Sequence, residues 1–223
     1  MNKRQTVAVY GGAFDPPHNG HMKLAEYLLE TNEVDTVSFM PSFNPPHKDA
    51  AKMASYEDRC EMVRRMRTFR GTDNILYQRS NVSRLERDMS GISYTLLLLD
   101  ELSHRWLDKE FKMVIGADEL CQLHTWRPDC IRLVRSYDFL VYLRPGITVD
   151  LTRLNRHWPG WLCQKLLSGI IFDAPMVDIS SSELRQSIKE HGYVPADAQI
   201  PPAVAAYINE HKLYVEDADD KHS

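Results

Sequence analysis

A doubly wound α/β domain, built on a parallel sheet and carrying a small helical C-terminal extension from about residue 176, is what this sequence predicts. Three observations carry the prediction. The chain opens on an apolar run, Thr6-Val7-Ala8-Val9-Tyr10, followed by a glycine pair, Gly11-Gly12, and then by Met22–Glu30, whose apolar residues fall at helical spacing. Short β-type runs then alternate with helical segments, as parallel strands joined by right-handed crossovers require. A chain of 223 residues with 43% apolar and 26% charged residues is an ordinary globular composition for one domain.

Taken in order, the first strand covers about residues 5–10 and the first helix ends near residue 31. Asp35–Pro41 is the second strand. The loop that follows, Ser42–Lys48, begins at the C-terminal end of a strand, where open α/β sheets bind ligands. Ser55-Tyr56-Glu57-Asp58 is a capped helix start, and that helix runs to about Phe69. Asn74–Arg79 reads as a short strand. Ser93-Tyr94-Thr95 opens a helix that continues to about Trp106. Phe111–Gly116 is a buried-type strand running into Ala117-Asp118. A short helix, the segment Thr125-Trp126-Arg127-Pro128 and a further helix to about Arg135 lead to the fifth strand, Tyr137–Leu143, which Arg144-Pro145-Gly146 stops. Residues 147–160 carry no legible element. Gly169–Asp173 is the last strand, Asp178–Arg185 leads into a helix to about His191, and Pro201-Pro202-Ala203 begins a final helix to about His211. The single domain is therefore drawn over residues 1–215, with 216–223 an acidic, frayed tail.

Charge and cysteine usage exclude some classes of function. The formal net charge is −4, which gives no reason to expect nucleic acid as a partner. The one basic cluster, Arg59, Arg64, Arg65, Arg67 and Arg70, reads as a solvated helix face. The four cysteines, Cys60, Cys121, Cys130 and Cys163, form no C-x-x-C pair, which argues against a structural zinc site. No secretory leader and no apolar run of membrane-spanning length is evident, so the expectation is a cytoplasmic protein with reduced thiols.

The opening strand, glycine turn and helix form a geometry suited to phosphate. Small residues let backbone N–H groups come close to an anion, and the helix N-terminus adds partial positive charge, about 0.3–1 kcal/mol when exposed. His18 and His21, three apart where the helix opens, share one side of its first turn. The competing readings are a simple helix cap or a metal pair; zinc would need further ligands, and none stands nearby at a recognisable spacing. Ser180-Ser181-Ser182 followed by Arg185 makes a second helix start able to cradle an anion, or else a plain N-cap with an exposed arginine. No serine or cysteine triad is evident.

The stretch Gly11-Gly12-Ala13-Phe14-Asp15-Pro16-Pro17-His18-Asn19-Gly20-His21 resembles, in register, the signature of the His-x-Gly-His nucleotidyltransferase family. The resemblance implies a Rossmann-like nucleotidyltransferase fold and transfer of a nucleoside monophosphate from a triphosphate to a phosphate-bearing acceptor, with release of pyrophosphate. Such an acceptor is already ionised, so positioning and charge stabilisation can carry the reaction without a strong general base. The resemblance further implies His18, His21 and Arg185 as catalytic residues. It implies an ATP site formed by these with Gly11, Gly12, Ala13, Phe14, Gly116, Asp118, Ser180, Ser181 and Ser182. Mg2+ would enter with ATP, with no dedicated protein metal site.

Asn44-Pro45-Pro46-His47-Lys48, Ser93-Tyr94-Thr95, Ile115-Gly116-Ala117-Asp118 and Thr125-Trp126 narrow this, because together they are similar to the bacterial nicotinate-nucleotide adenylyltransferases. The matches run from about residue 6 to about residue 210. They imply an acceptor, nicotinate mononucleotide, converted to deamido-NAD in NAD biosynthesis and held by Asn44, Lys48, Tyr94, Thr95, Thr125, Trp126 and Arg127. An indole there can stack on a pyridine ring, and an arginine favours its carboxylate. Three departures from the pattern touch the substrates: Ala13 replaces a threonine, a leucine run follows Thr95, and Arg127-Pro128 replaces an aromatic residue. The alternatives are a sibling enzyme using nicotinamide mononucleotide or phosphopantetheine, or an inactive nucleotide-binding regulator. A dehydrogenase is disfavoured because the first turn lacks G-x-G-x-x-G. The implied partners are ATP and a pyridine mononucleotide, with neither nucleic acid nor membrane, and a homo-oligomer is compatible.

Overall fold

The computed structural model describes residues 3–43, 53–89 and 94–215. Its six strands are β1 (Gln5–Gly12), β2 (Thr36–Pro41), β3 (Ser80–Val82), β4 (Lys109–Gly116), β5 (Asp138–Tyr142) and β6 (Ile170–Ile171). They form one sheet in the order β3-β2-β1-β4-β5-β6, and every neighbouring pair is parallel. The strand order reverses between β1 and β4. In open α/β sheets that switch point, at the carboxyl ends of the strands, is where ligands bind.

The helices among the described residues are α1 (Asn19–Glu30), α2 (Tyr56–Thr68), α3 (Ile75–Gln78), α4 (Leu85–Asp88), α5 (Thr95–Arg105), α6 (Ala117–Gln122), α7 (Cys130–Ser136), α8 (Leu151–His157), α9 (Gly160–Ser168), α10 (Ser181–His191) and α11 (Pro202–Glu210). None is long and apolar enough to cross a membrane.

Alternation along the strands divides the core between the two faces of the sheet. Ala8 and Tyr10 of β1 turn to one face with Val37, Phe39 and Val114, where they meet Leu28 of α1 and Met62 of α2. Ile188 of α10 and Val204 and Ile208 of α11 belong to this same cluster, so the C-terminal helices share the main core. Val7 and Val9 turn to the other face with Met113 and Ile115, against Leu99 of α5, Leu120 of α6 and Leu162 of α9.

The element boundaries differ from the sequence expectation in a few places, each with a local cause. Residues 74–79 are not a strand. The Asn74 side chain accepts from the Tyr77 backbone N–H at 2.9 Å and caps α3, and the edge strand begins only at Ser80. Four apolar-rich residues are too few for periodicity to separate helix from strand. Residues 147–160 contain α8, whose N-cap Asp150 accepts from the N–H groups of Thr152 and Arg153. The last strand is shorter than residues 169–173 and is paired only at Ile170 and Ile171. The tail at 216–223 lies outside the described residues.

The cluster on α2 is not a uniformly solvated face. Arg64 and Arg65 pair with Glu61, but Arg59 is 3% exposed and points inward.

Candidate active site

Residues 13–18, between β1 and α1, are held from three directions. Phe14 takes a left-handed φ of 50° and is buried, its ring edge-on to Tyr10, Phe39 and His21. A non-glycine residue in that region of backbone space persists when its surroundings over-determine it. Arg59 supplies one restraint: Nη1 donates to the Ala13 carbonyl at 2.8 Å and Nε to the Ala54 carbonyl at 3.2 Å. Ser181, at the start of α10, donates to the Pro16 carbonyl at 3.0 Å. Arg185, one turn on, donates from Nη1 to the Asp15 carbonyl at 2.6 Å.

Asp15 is the centre of this arrangement. Its side chain is fully buried. Oδ1 accepts from the Ala54 N–H at 3.0 Å and from the Tyr214 hydroxyl at 2.8 Å, while Oδ2 faces Arg185 Nη1 at 3.4 Å. A buried carboxylate is tolerated when it is paired and hydrogen-bonded in this way.

The two histidines follow directly. Their rings lie 3.7 Å apart, centroid to centroid, tilted by 31°. His21 Nδ1 accepts from the His18 backbone N–H at 3.2 Å, so the neutral His21 ring carries its proton on Nε2. His18 is 8% exposed and its Nδ1 is buried without a hydrogen-bond partner. Burial, and then the cationic Arg144, push the His18 imidazole down to about 3, so it is neutral at physiological pH.

Gly20 completes the unit. A Cβ there would stand 3.0 Å from His18 Nδ1 and 3.1 Å from Cε1. Gly20→Ala is therefore expected to displace the His18 ring and lower kcat by about tenfold or more, since an ångström of misplacement can cost about 10²-fold. Its melting temperature should hold or rise, because alanine is favoured over glycine inside a helix by about 1 kcal/mol. Steady-state kinetics beside a thermal melt checks both. Gly12, by contrast, has room for a Cβ at ordinary contact distance from Phe14, so internal packing alone does not demand glycine there.

Around the histidines, Tyr10, Gly20, Leu24, Tyr142, Arg144 and Val177 line a narrow cleft over the switch point. Arg144, just beyond β5, bonds the Tyr142 hydroxyl and stands 3.5 Å from Asp118 Oδ2. Asp118 Oδ1 is buried without a hydrogen bond. Its carboxylate folds over Gly116, where a Cβ would come within 2.3 Å of Oδ1. A larger cavity of about 400 Å³ lies at the opposite end of the sheet, among Lys112, Asp138 and Lys165, and holds none of the expected site residues.

Of the other expected residues, Gly11 and Gly12 end β1, paired with Met40 and Pro41. Ser180 caps α10, its Oγ accepting from the Ser182 N–H at 3.2 Å, and Ser182 Oγ accepts from Arg185 Nη2 at 3.2 Å. Tyr94 and Thr95 begin α5. Thr125 closes the 3-10 turn after α6, its hydroxyl donating to the Gln122 carbonyl at 2.8 Å. Trp126 is partly buried and packs against the core cluster that contains Leu96, Leu99 and Leu123. Arg127 is exposed. Asn44 and Lys48 lie outside the described residues.

Sequence reasoning left Tyr142, Arg144, Asp15, Arg59 and Tyr214 without a role. A strand-end position beside the switch point was a usable signal for Tyr142 and Arg144. Among the described residues, no group of three or more His, Cys, Asp and Glu side chains is arranged to hold a metal ion.

Residues 9–187 match the cytidylyltransferase-like family model. The chain is 35% identical over 208 residues to a "probable nicotinate-nucleotide adenylyltransferase" of Roseiflexus sp. (strain RS-1), covering 93% of this chain and 97% of that one. A protein of the same description from Neisseria meningitidis (strain FAM18) is 34% identical over 210 residues, covering 93% and 98%. Among solved structures, the Plasmodium falciparum nicotinic acid mononucleotide adenylyltransferase complexed with APC shares the fold at a TM-score of 0.73 and 18% identity, covering 94% of this chain and 97% of that one.

Proposed function

The chain belongs to the nicotinate-nucleotide adenylyltransferases within the cytidylyltransferase-like family, and on that footing we propose that it transfers the adenylyl group of ATP to nicotinate mononucleotide, giving deamido-NAD and pyrophosphate in NAD biosynthesis. One observation carries the chemistry: two histidine rings in contact at the N-terminus of α1, over the switch point, with a buried ring nitrogen still lacking a partner.

An oxygen of the acceptor phosphate attacks the α-phosphorus of ATP. A new P–O bond forms, the bond to the bridging oxygen between the α- and β-phosphorus breaks, and pyrophosphate leaves with that electron pair. Nothing in this step needs a base, because the attacking oxygen carries no proton to remove. The protein's task is to align the two phosphates and stabilise charge. The N–H groups of His18 and His21 donate to the phosphates. The start of α1 and the guanidinium groups of Arg185 and Arg144 add positive potential.

Mg2+ bound to ATP would screen the triphosphate charge. Such an ion takes substrate phosphate oxygens and water, with one or two carboxylates. The orphaned Asp118 Oδ1 would suit such an ion as a ligand oxygen, or a ribose hydroxyl as a hydrogen-bond acceptor. Tyr94, Thr95, Thr125, Trp126 and Arg127, with Asn44 and Lys48, are the proposed acceptor side. The four unpaired cysteines support a cytoplasmic setting.

The test is pyrophosphate release with Mg2+ and ATP, offering nicotinate mononucleotide, nicotinamide mononucleotide and phosphopantetheine in parallel. Clear preference for the nicotinate acceptor is expected; preference for another would refute the acceptor assignment. In the same assay, Trp126→Ala should raise the acceptor KM by about 10-fold, the worth of one aromatic stacking contact, and leave the ATP KM alone. An unchanged acceptor KM would move the pyridine pocket elsewhere.

A further inference from the structure

We propose that Tyr214 is a positioning residue for the reaction: its hydroxyl fixes the Asp15 carboxylate, and through it the loop that carries His18 and the orientation of Arg185. The inference rests on the adenylyl-transfer reading and extends it to a residue 199 positions from the loop it serves.

The Asp15 carboxylate has few partners. Oδ1 has two donors, the Ala54 N–H and the Tyr214 hydroxyl, and the hydroxyl is the nearer at 2.8 Å. Oδ2 has no hydrogen bond, only the Arg185 ion pair at 3.4 Å. Arg185 Nη1 is meanwhile engaged with the Asp15 carbonyl at 2.6 Å. Without the phenol, a buried carboxylate would have one backbone donor left and would draw Arg185 towards itself, away from the carbonyl and Ser182. The Asp15 backbone would then lose its hold three residues ahead of His18.

The backbone around Tyr214 is built for this contact. Lys212 and Tyr214 both take left-handed φ values, 51° and 66°, in the turns after α11. Two non-glycine residues in that region so close together carry strain that needs compensation. The phenol keeps the proton it donates, since burial and then the Asp15 charge hold its pKa far above the ordinary tyrosine value.

The experiment compares full-length Tyr214→Phe with Tyr207→Phe. Tyr207 makes a matching bond, its hydroxyl to Asp58 Oδ1 at 2.8 Å, and likewise ties the C-terminal region to the start of α2, but without touching the loop. Pyrophosphate release, thermal midpoint and amide hydrogen exchange of residues 11–22 are measured on both. Tyr214→Phe should lower kcat about 10- to 100-fold, as loss of one hydrogen bond to a charged group allows, with the acceptor KM within about twofold. It should also speed exchange in residues 11–22, and Tyr207→Phe should do neither at a comparable thermal midpoint. Equal kcat in the two variants would overturn the proposal, as would faster exchange with kcat intact. A wild-type protein that released no pyrophosphate would remove the catalytic role together with the adenylyl-transfer reading, and the exchange data would separate that failure from a missing tether.

Discussion

Replacement of His18 by alanine is expected to lower kcat about 10²–10³-fold, the usual loss when one donor to transition-state charge is removed. His21→Ala should fall in the same range. The two losses should combine to less than their product, because the rings touch and His21 Nδ1 is bonded to the His18 backbone. Pyrophosphate release at saturating substrates measures this, and near-wild-type turnover in both variants would sink the mechanism. The pH profile adds a second check. With its pKa held at about 3, His18 does not titrate between pH 6 and 9, so no limb of the profile in that range should disappear with it. The stability linkage has a definite sign. Between about pH 6.5 and 3 the unfolded chain binds a proton at His18 that the native state refuses, so this group lowers stability as pH falls through that window and has no effect above it. His18→Ala should therefore flatten the acid side of the stability curve.

The second large effect is on folding. Asp15→Ala is expected to destabilise the protein by about 2–4 kcal/mol, because it leaves two donors without their acceptor and takes the partner from the partly buried Arg185. Arg185 would face a void, and the Tyr214 hydroxyl and Ala54 N–H would lose their acceptor. Denaturant unfolding reads the change directly. A loss below about 1 kcal/mol would mean that water or a rearranged Arg185 replaces the carboxylate, and that Asp15 is not the hub its contacts describe.

Much of the histidine turn was legible because it is contiguous: strand, glycine pair, helix and both histidines fall within residues 5–31, where local spacing is informative. The parallel sheet followed from the same alternation, with five of its six strands near their expected positions. Contacts between distant segments were not legible. Nothing local marks Asp15 as bonded to residues 54, 185 and 214, and Arg59 looks from its neighbours like one more exposed arginine until its carbonyl partners are seen. Arg144-Pro145-Gly146 reads as a strand terminator, which it is; its place beside His18 depends on β5 lying next to β4. Residues 74–79 depart from the strand their composition predicts because one cap, Asn74, outweighs the β-type character of Ile75, Leu76 and Tyr77.

The grip on the loop at residues 13–18 also bears on how the protein is made. The loop is restrained by Ser181, Arg185 and Tyr214, all translated well after it, and β1 cannot pair with β4 until Lys109–Gly116 exists. Contacts of such sequence separation form late, since the entropy of closing long loops must be overcome before they stabilise anything. A nascent chain on the ribosome would thus carry its histidine motif well before the loop is held, because residues 181, 185 and 214 must emerge first.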